Sequence, residues 1–198
     1  MNKKTKIIIG LVGGVIIVIM VIWGLSAGSE AYNNVNAPRP FKGNQEAKVI
    51  LTEFSDFQCP ACKNAKLLVD GLMEKYADQI KLEYKYLPLV VLHPNAYNAA
   101  LAAECANDQG KFWEMYDLLF ANQNNLTKSD LKLYASQMDG LNADSFNICL
   151  DTKAKKNVID ADLNEAAAKG INATPTFFLN GREVEDYGEL DNLIQNLL

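Results

Sequence analysis

Histidine is almost absent: His93 is the only one among 198 residues. Cysteine is nearly as scarce, with four, and only Cys59 and Cys62 lie close together. A structural zinc site needs four ligands, usually drawn from two close pairs, so neither an all-cysteine set nor a mixed cysteine and histidine set can be assembled here. No metal and no cofactor is expected. Internal repeats and low-complexity segments are missing too, so neither a repeat array nor a disordered or fibrous protein is indicated. There is also no excess of basic charge. Residues 29–198 carry 16 bases and 24 acids, a net of −8. A surface that acidic repels phosphates, which argues against nucleic acid as a partner. What remains is a 49% hydrophobic chain, long enough to bury one good core with a subdomain inserted in it.

The three lysines absent from that acidic stretch stand at the other end. Lys3, Lys4 and Lys6 precede Ile7 to Leu25, a run of 19 residues without a charge. That length crosses the hydrocarbon core as a helix, and the flanking lysines keep the N-terminus in the cytoplasm. A cleaved secretory signal is the rival reading. Its apolar core is shorter, about 7–15 residues, and Ser26-Ala27-Gly28-Ser29 offers only a poor cleavage site. Length favours an uncleaved anchor. In both readings the rest of the chain is exported, so the expected location is the cell membrane, single-pass, with an extracytoplasmic domain, or secretion after cleavage. Disulfides are permitted there.

The expected organisation is a basic stub at 1–6, a membrane span at 7–25, a polar tether at 26–46 with Asn33, Pro38, Pro40 and Gly43, and a folded domain at 47–198. Val49, Ile50, Leu51 and Phe54 suit a strand buried on both faces. Leu67, Leu68, Leu72 and Met73 recur at helical spacing within 60–76, so Cys59-Pro60-Ala61-Cys62 lies where a strand passes into a helix. Ile80, Leu82, Tyr84 and Tyr86 alternate with charged residues, a strand signature. Residues 94–169 read as entirely helical, with a capping box at Thr127 and Asp130, a cap at Asp144 and a stop at Gly170. Thr176 to Leu179, then Asn180-Gly181, then Arg182 to Val184 spell a hairpin. Leu190, Leu193, Ile194 and Leu197 mark a last helix. The sum is an α/β core of a few strands interrupted by a helical insertion.

A lone CxxC is ambiguous between redox and metal chemistry, and position favours redox. Cys59 at the start of a helix faces unpaired N–H groups and the positive end of the dipole, which stabilise a thiolate. Pro60 suits the first helical turn. Cys62, one turn on, is close enough to attack a mixed disulfide on Cys59, and thiol–disulfide exchange needs nothing more. An inert short-loop disulfide is the bland alternative. Glu53, six residues before Cys59, has two readings: a buried carboxylate exchanging a proton with Cys62, or a strand-edge acid facing water. Pro175, after Thr174, opens the hairpin and by itself is a loop residue. Cys105 and Cys149 lie on separate predicted helices, either as buried free thiols or as a structural bridge. The compartment favours the bridge, which would close a loop of about 45 residues and contribute roughly 3–4 kcal/mol. His93 reads as a helix start and the Phe112, Trp113, Tyr116 cluster as core.

Three stretches together carry a resemblance: Glu53-Phe54-Ser55-Asp56-Phe57-Gln58-Cys59-Pro60-Ala61-Cys62, Gln109-Gly110-Lys111-Phe112-Trp113-Glu114, and Ala173-Thr174-Pro175-Thr176-Phe177-Phe178. In order and separation they resemble the DsbA-like thiol oxidoreductases of the thioredoxin superfamily, over about residues 42–198. The resemblance implies a thioredoxin-like fold with an all-helical cap. It makes Cys59 the nucleophile, Cys62 its buried partner, Glu53 the proton relay, and Pro175 a cis-proline placing the Thr174 backbone beside the sulfurs to hold substrate. Ala61 departs from strongly oxidising members, which often carry His or Tyr there. The implied activity is a protein thiol:disulfide oxidoreductase acting on exported proteins, reoxidised by a quinone-linked membrane partner. A reductase or isomerase running the chemistry backwards, and a tethered thiol-dependent chaperone, remain open as alternatives.

Overall fold

The computed structural model describes residues 39–198. The basic stub, the expected membrane span at 7–25 and most of the expected tether lie outside the described residues. Among the described residues no helix is long and apolar enough to cross a membrane.

Five strands form one sheet in the order β1-β3-β2-β4-β5: β1 Phe41–Gly43, β2 Val49–Ser55, β3 Ile80–Tyr86, β4 Thr176–Leu179 and β5 Arg182–Val184. Only β2 and β3 run parallel. A parallel pair needs a crossover, and helix α1, Pro60–Tyr76, supplies it. Odd-numbered residues of β2 face this helix. Val49 and Leu51 pack with Ala65, Val69, Leu72 and Met73 of α1, and with Leu190 and Ile194 of the final helix. Phe54 points the other way, into a second cluster with Leu87, Ala166 and Phe178. Helices therefore cover both faces, and β2 is buried as its composition predicts.

Between β3 and β4 run five helices: α2 Ala96–Asn107, α3 Phe112–Ala121, α4 Lys128–Gln137, α5 Ala143–Thr152 and α6 Lys156–Ala168. Nearly every residue of α2 is buried, and its alanines let neighbouring helices approach closely. Cys105 on α2 and Cys149 on α5 form a disulfide, with Cα atoms 5.9 Å apart. Aromatic rings join this cap to the sheet: Phe57 lies 5.2 Å from Tyr84 and 5.1 Å from Phe120, centroid to centroid. A 3-10 turn at Tyr187–Glu189 leads into α7, Leu190–Gln195.

Four local readings change. Residues 41–43, expected within the tether, pair antiparallel with β3, so the domain begins before residue 47. An edge strand needs a partner on one side only, and β1 gains further hold because Trp113 Nε1 donates to the Phe41 carbonyl at 2.9 Å. The α5 cap is Asn142, whose Oδ1 accepts from Ser145 N at 2.9 Å; Asp144 sits in the first turn instead. Leu67 is 75% exposed, because the buried stripe of α1 runs through Ala65, Val69, Leu72 and Tyr76. Trp113 is only partly buried, against the main core. The hairpin reading stands: Asn180 and Gly181 have φ of 49° and 77°, the left-handed pair that a tight two-residue turn requires.

Candidate active site

Everything around the CxxC follows from β2 handing over to α1. Cys59 has extended backbone angles and is the N-cap of α1, with Pro60 in the first turn. The N–H groups of a first helical turn have no intrahelical partner. Those of Ala61 and Cys62 favour the Cys59 thiolate. Both thiols are free and buried. Hydrogen bonding from Cys62 is the largest influence on Cys59. With help from the Thr174 side chain and the two amides, it overcomes burial and brings the Cys59 pKa down to about 5. Cys62 moves the opposite way, pushed far up first by burial and then by its bond to Cys59. Two adjacent sulfurs share one negative charge, and it resides on Cys59.

The Thr174–Pro175 peptide bond is cis. The Thr174 carbonyl lies 3.5 Å from Cys59 Sγ. Two segments 115 residues apart in sequence thus meet at one sulfur.

Glu53 lies on the α1 face of β2 and is completely buried, so the water-facing reading does not hold. Burial raises its pKa to about 7; the nearby Ser55 hydroxyl opposes this, and Asp70 adds to it. It stands in register with Tyr84 on β3. An acid that titrates near neutrality, on the face of β2 that packs against the helix carrying Cys62, is suited to proton exchange.

Several residues that hold the loop in place have no site role in the sequence reading. Asp56, 1% exposed, accepts from Gln58 N at 2.7 Å with one oxygen. Its other oxygen accepts from Leu89 N and meets His93 Nδ1, each at 2.8 Å. The sole histidine thus braces the active-site loop. Gln58 Oε1 accepts from Asn95 N at 2.8 Å. Gln123 Nε2 donates to the carbonyls of Phe57 and Cys59, each at 2.9 Å. Asp56 had a visible signal, an acid within an apolar run beside the CxxC. Gln123 had none, because only the folded cap brings it there. Among the described residues no group of His, Cys, Asp or Glu is placed to hold a metal ion.

A family model described as Thioredoxin matches residues 36–196. The chain belongs to the thioredoxin family. Within that family it is DsbA-like, as its similarity to solved structures shows. It resembles BdbD from Bacillus subtilis in its oxidised form, at 23% identity and a TM-score of 0.71, over 80% of this chain and 91% of that one. It is also similar to Pseudomonas aeruginosa DsbA2, at 26% identity and a TM-score of 0.66, over 82% and 95%. A curated relative, Na(+)/H(+) antiporter NhaA 3 of Salinispora tropica, is 41% identical over 141 residues. That match takes in 71% of this chain and 21% of the relative, so the chain spans about a fifth of the length of such relatives. Cys59-Pro60-Ala61-Cys62 opens the helix after β2, and the cap of five helices is inserted between β3 and β4.

Proposed function

We propose that this thioredoxin-family protein is a membrane-anchored thiol:disulfide oxidoreductase that introduces disulfides into exported proteins. Cys59 is the nucleophilic centre, Cys62 the buried partner and Glu53 the proton source. In the oxidised enzyme a client thiolate attacks Cys59 Sγ, and the Cys59–Cys62 bond breaks. Cys62 leaves as a buried thiolate and takes a proton from Glu53. A second client thiolate then attacks the client sulfur of the mixed disulfide. The client disulfide forms and Cys59 departs as a thiolate held by the helix N-terminus. Two electrons have passed from client to enzyme, and Glu53 recovers its proton from solvent. The backbone of Thr174, beside cis-Pro175, holds the client segment in extended form.

One observation carries this reading: the two sulfurs are pushed in opposite directions, Cys59 down to about 5 and Cys62 far up. Stabilising the Cys59 thiolate lowers the free energy of the reduced enzyme, which makes the disulfide the stronger oxidant. Regeneration requires an electron acceptor. A quinone-linked membrane protein fits, and the uncharged run at 7–25 would keep the domain beside it, extracytoplasmic with the N-terminus in the cytoplasm. Similarity to a segment of proteins named as antiporters is in keeping with a domain carried at a membrane.

The reduction potential of the Cys59–Cys62 pair in the full chain tests the direction. A value above about −200 mV supports the oxidase, whereas one near the thioredoxin end, about −270 mV, makes it a reductase. Cys59→Ser abolishes function in both enzyme readings; function that survives as client binding would leave only the tethered binding protein.

A further inference from the structure

Around Glu53 lie three buried hydroxyls, of Ser55, Tyr84 and Tyr116, that the exchange reaction as written does not use. Glu53 and Ser55 are two apart on β2, so both point at α1, and Cys62 is in the first turn of that helix. Tyr84 lies beside Glu53 in the β2–β3 ladder, and Tyr116 of α3 closes the side, its ring centroid 5.5 Å from that of Tyr84. Both Glu53 oxygens, Ser55 Oγ, Tyr84 OH and Tyr116 OH are sealed from solvent, and none closes a direct hydrogen bond of good geometry. Ser55 is nevertheless near enough to affect the proton equilibria of Glu53, Cys62 and Tyr84 alike. Burying one such group unsatisfied is costly, and burying four side by side demands a use.

We propose that Ser55 is a further catalytic residue of the exchange reaction, its hydroxyl passing the proton between Glu53 and Cys62 inside a polar pocket closed by Tyr84 and Tyr116. The Ser55 hydroxyl gives its proton to the Cys62 thiolate as the Cys59–Cys62 bond breaks, and takes one from the Glu53 carboxyl. Cys62 ends as a thiol, Glu53 as a carboxylate and Ser55 unchanged. The two tyrosines have pKa values raised well above normal, so they stay neutral and can only lend hydrogen bonds. No basic side chain hydrogen-bonds Glu53; the charged groups that face it are Lys66 and Asp70, both on α1. The Ser55 hydroxyl, two residues along the same face of β2, is therefore the group we assign to connect acid and sulfur.

This inference rests on the proposed thiol chemistry but not on its direction in the cell. The test is single-turnover reduction of the oxidised full chain by a small dithiol, acid-quenched, from about pH 5.5 to 8.5. The variants are Ser55→Ala, Ser55→Thr, Glu53→Gln and the Ser55→Ala/Glu53→Gln pair. Wild type should show an inflection near pH 7. Ser55→Ala should react roughly tenfold to a hundredfold more slowly with that inflection flattened. Ser55→Thr, which keeps the hydroxyl, should restore both, and the double variant should be no slower than either single one. Ser55→Ala with rate and inflection intact, or Thr failing to rescue a folded protein, would overturn the proposal. Wild type that does not exchange at all would instead overturn the proposed function, and this inference with it.

Discussion

Glu53 sets chemistry against stability. Its carboxyl holds a proton up to about pH 7 in the folded protein, whereas the unfolded chain releases it near 4.5. Folding therefore binds a proton between those values, and stability falls as pH rises through that window and stays lowered above it. The loss above the window is roughly 3 kcal/mol. Glu53→Gln removes the charge at similar volume. It should gain most of that stability in denaturant titrations at about pH 8 and little near pH 4, while exchange slows. An equal gain at both would mean that the carboxyl is not titrating as its burial implies. Cys59 has the opposite sign. Its thiolate forms through about pH 5, so the ultraviolet absorbance of the reduced protein should rise there. Replacing Thr174 by Val removes a hydroxyl that favours the thiolate and should move that rise to higher pH.

At the scale of elements, the cap is held partly by covalent means. Cys105 and Cys149 are separated by 44 residues, and in the chain-entropy model closing such a loop contributes about 3–4 kcal/mol. Replacing both by Ala should cost at least that much in urea unfolding, yet leave the potential of the Cys59–Cys62 pair unchanged, since the bridge is outside the site. A shifted potential would show the cap to be coupled to the thiols. These elements differ in how plainly the chain spells them. Helix α1 and strand β3 carry full periodic patterns, and Asn180-Gly181 has a unique backbone use, so all three could be read in advance. Strand β1 is three residues with a proline just before it and a glycine within it, and its identity comes from pairing with β3. The Asn142 cap competes with Asp144 two residues away, and only geometry chooses between them. In the site, Cys59, Cys62 and Pro175 were legible because they belong to short motifs. Gln123, His93 and Ser55 act through contacts that exist only after the cap and sheet have closed.

For the molecule as a whole, the redox state of two atoms should alter global stability. The reduced protein contains a thiolate whose pKa is depressed on folding, from about 9 in the unfolded chain to about 5. Such a group contributes fully above the unfolded value, and its contribution is lost as pH falls through the folded one. The oxidised protein has no such thiolate. The reduced form should therefore gain on the oxidised form as pH rises from about 5 toward 9, whatever other groups both forms share. Glu53 is common to the two and largely cancels in the difference. Thermal melts of both forms at about pH 4, 6 and 8 measure it directly. A Tm difference that widens in favour of the reduced form with pH supports an enzyme whose disulfide is driven to give itself up to clients. Parallel curves would mean that folding does not stabilise the Cys59 thiolate. The direction of electron flow would then have to be set by a redox partner rather than by this fold.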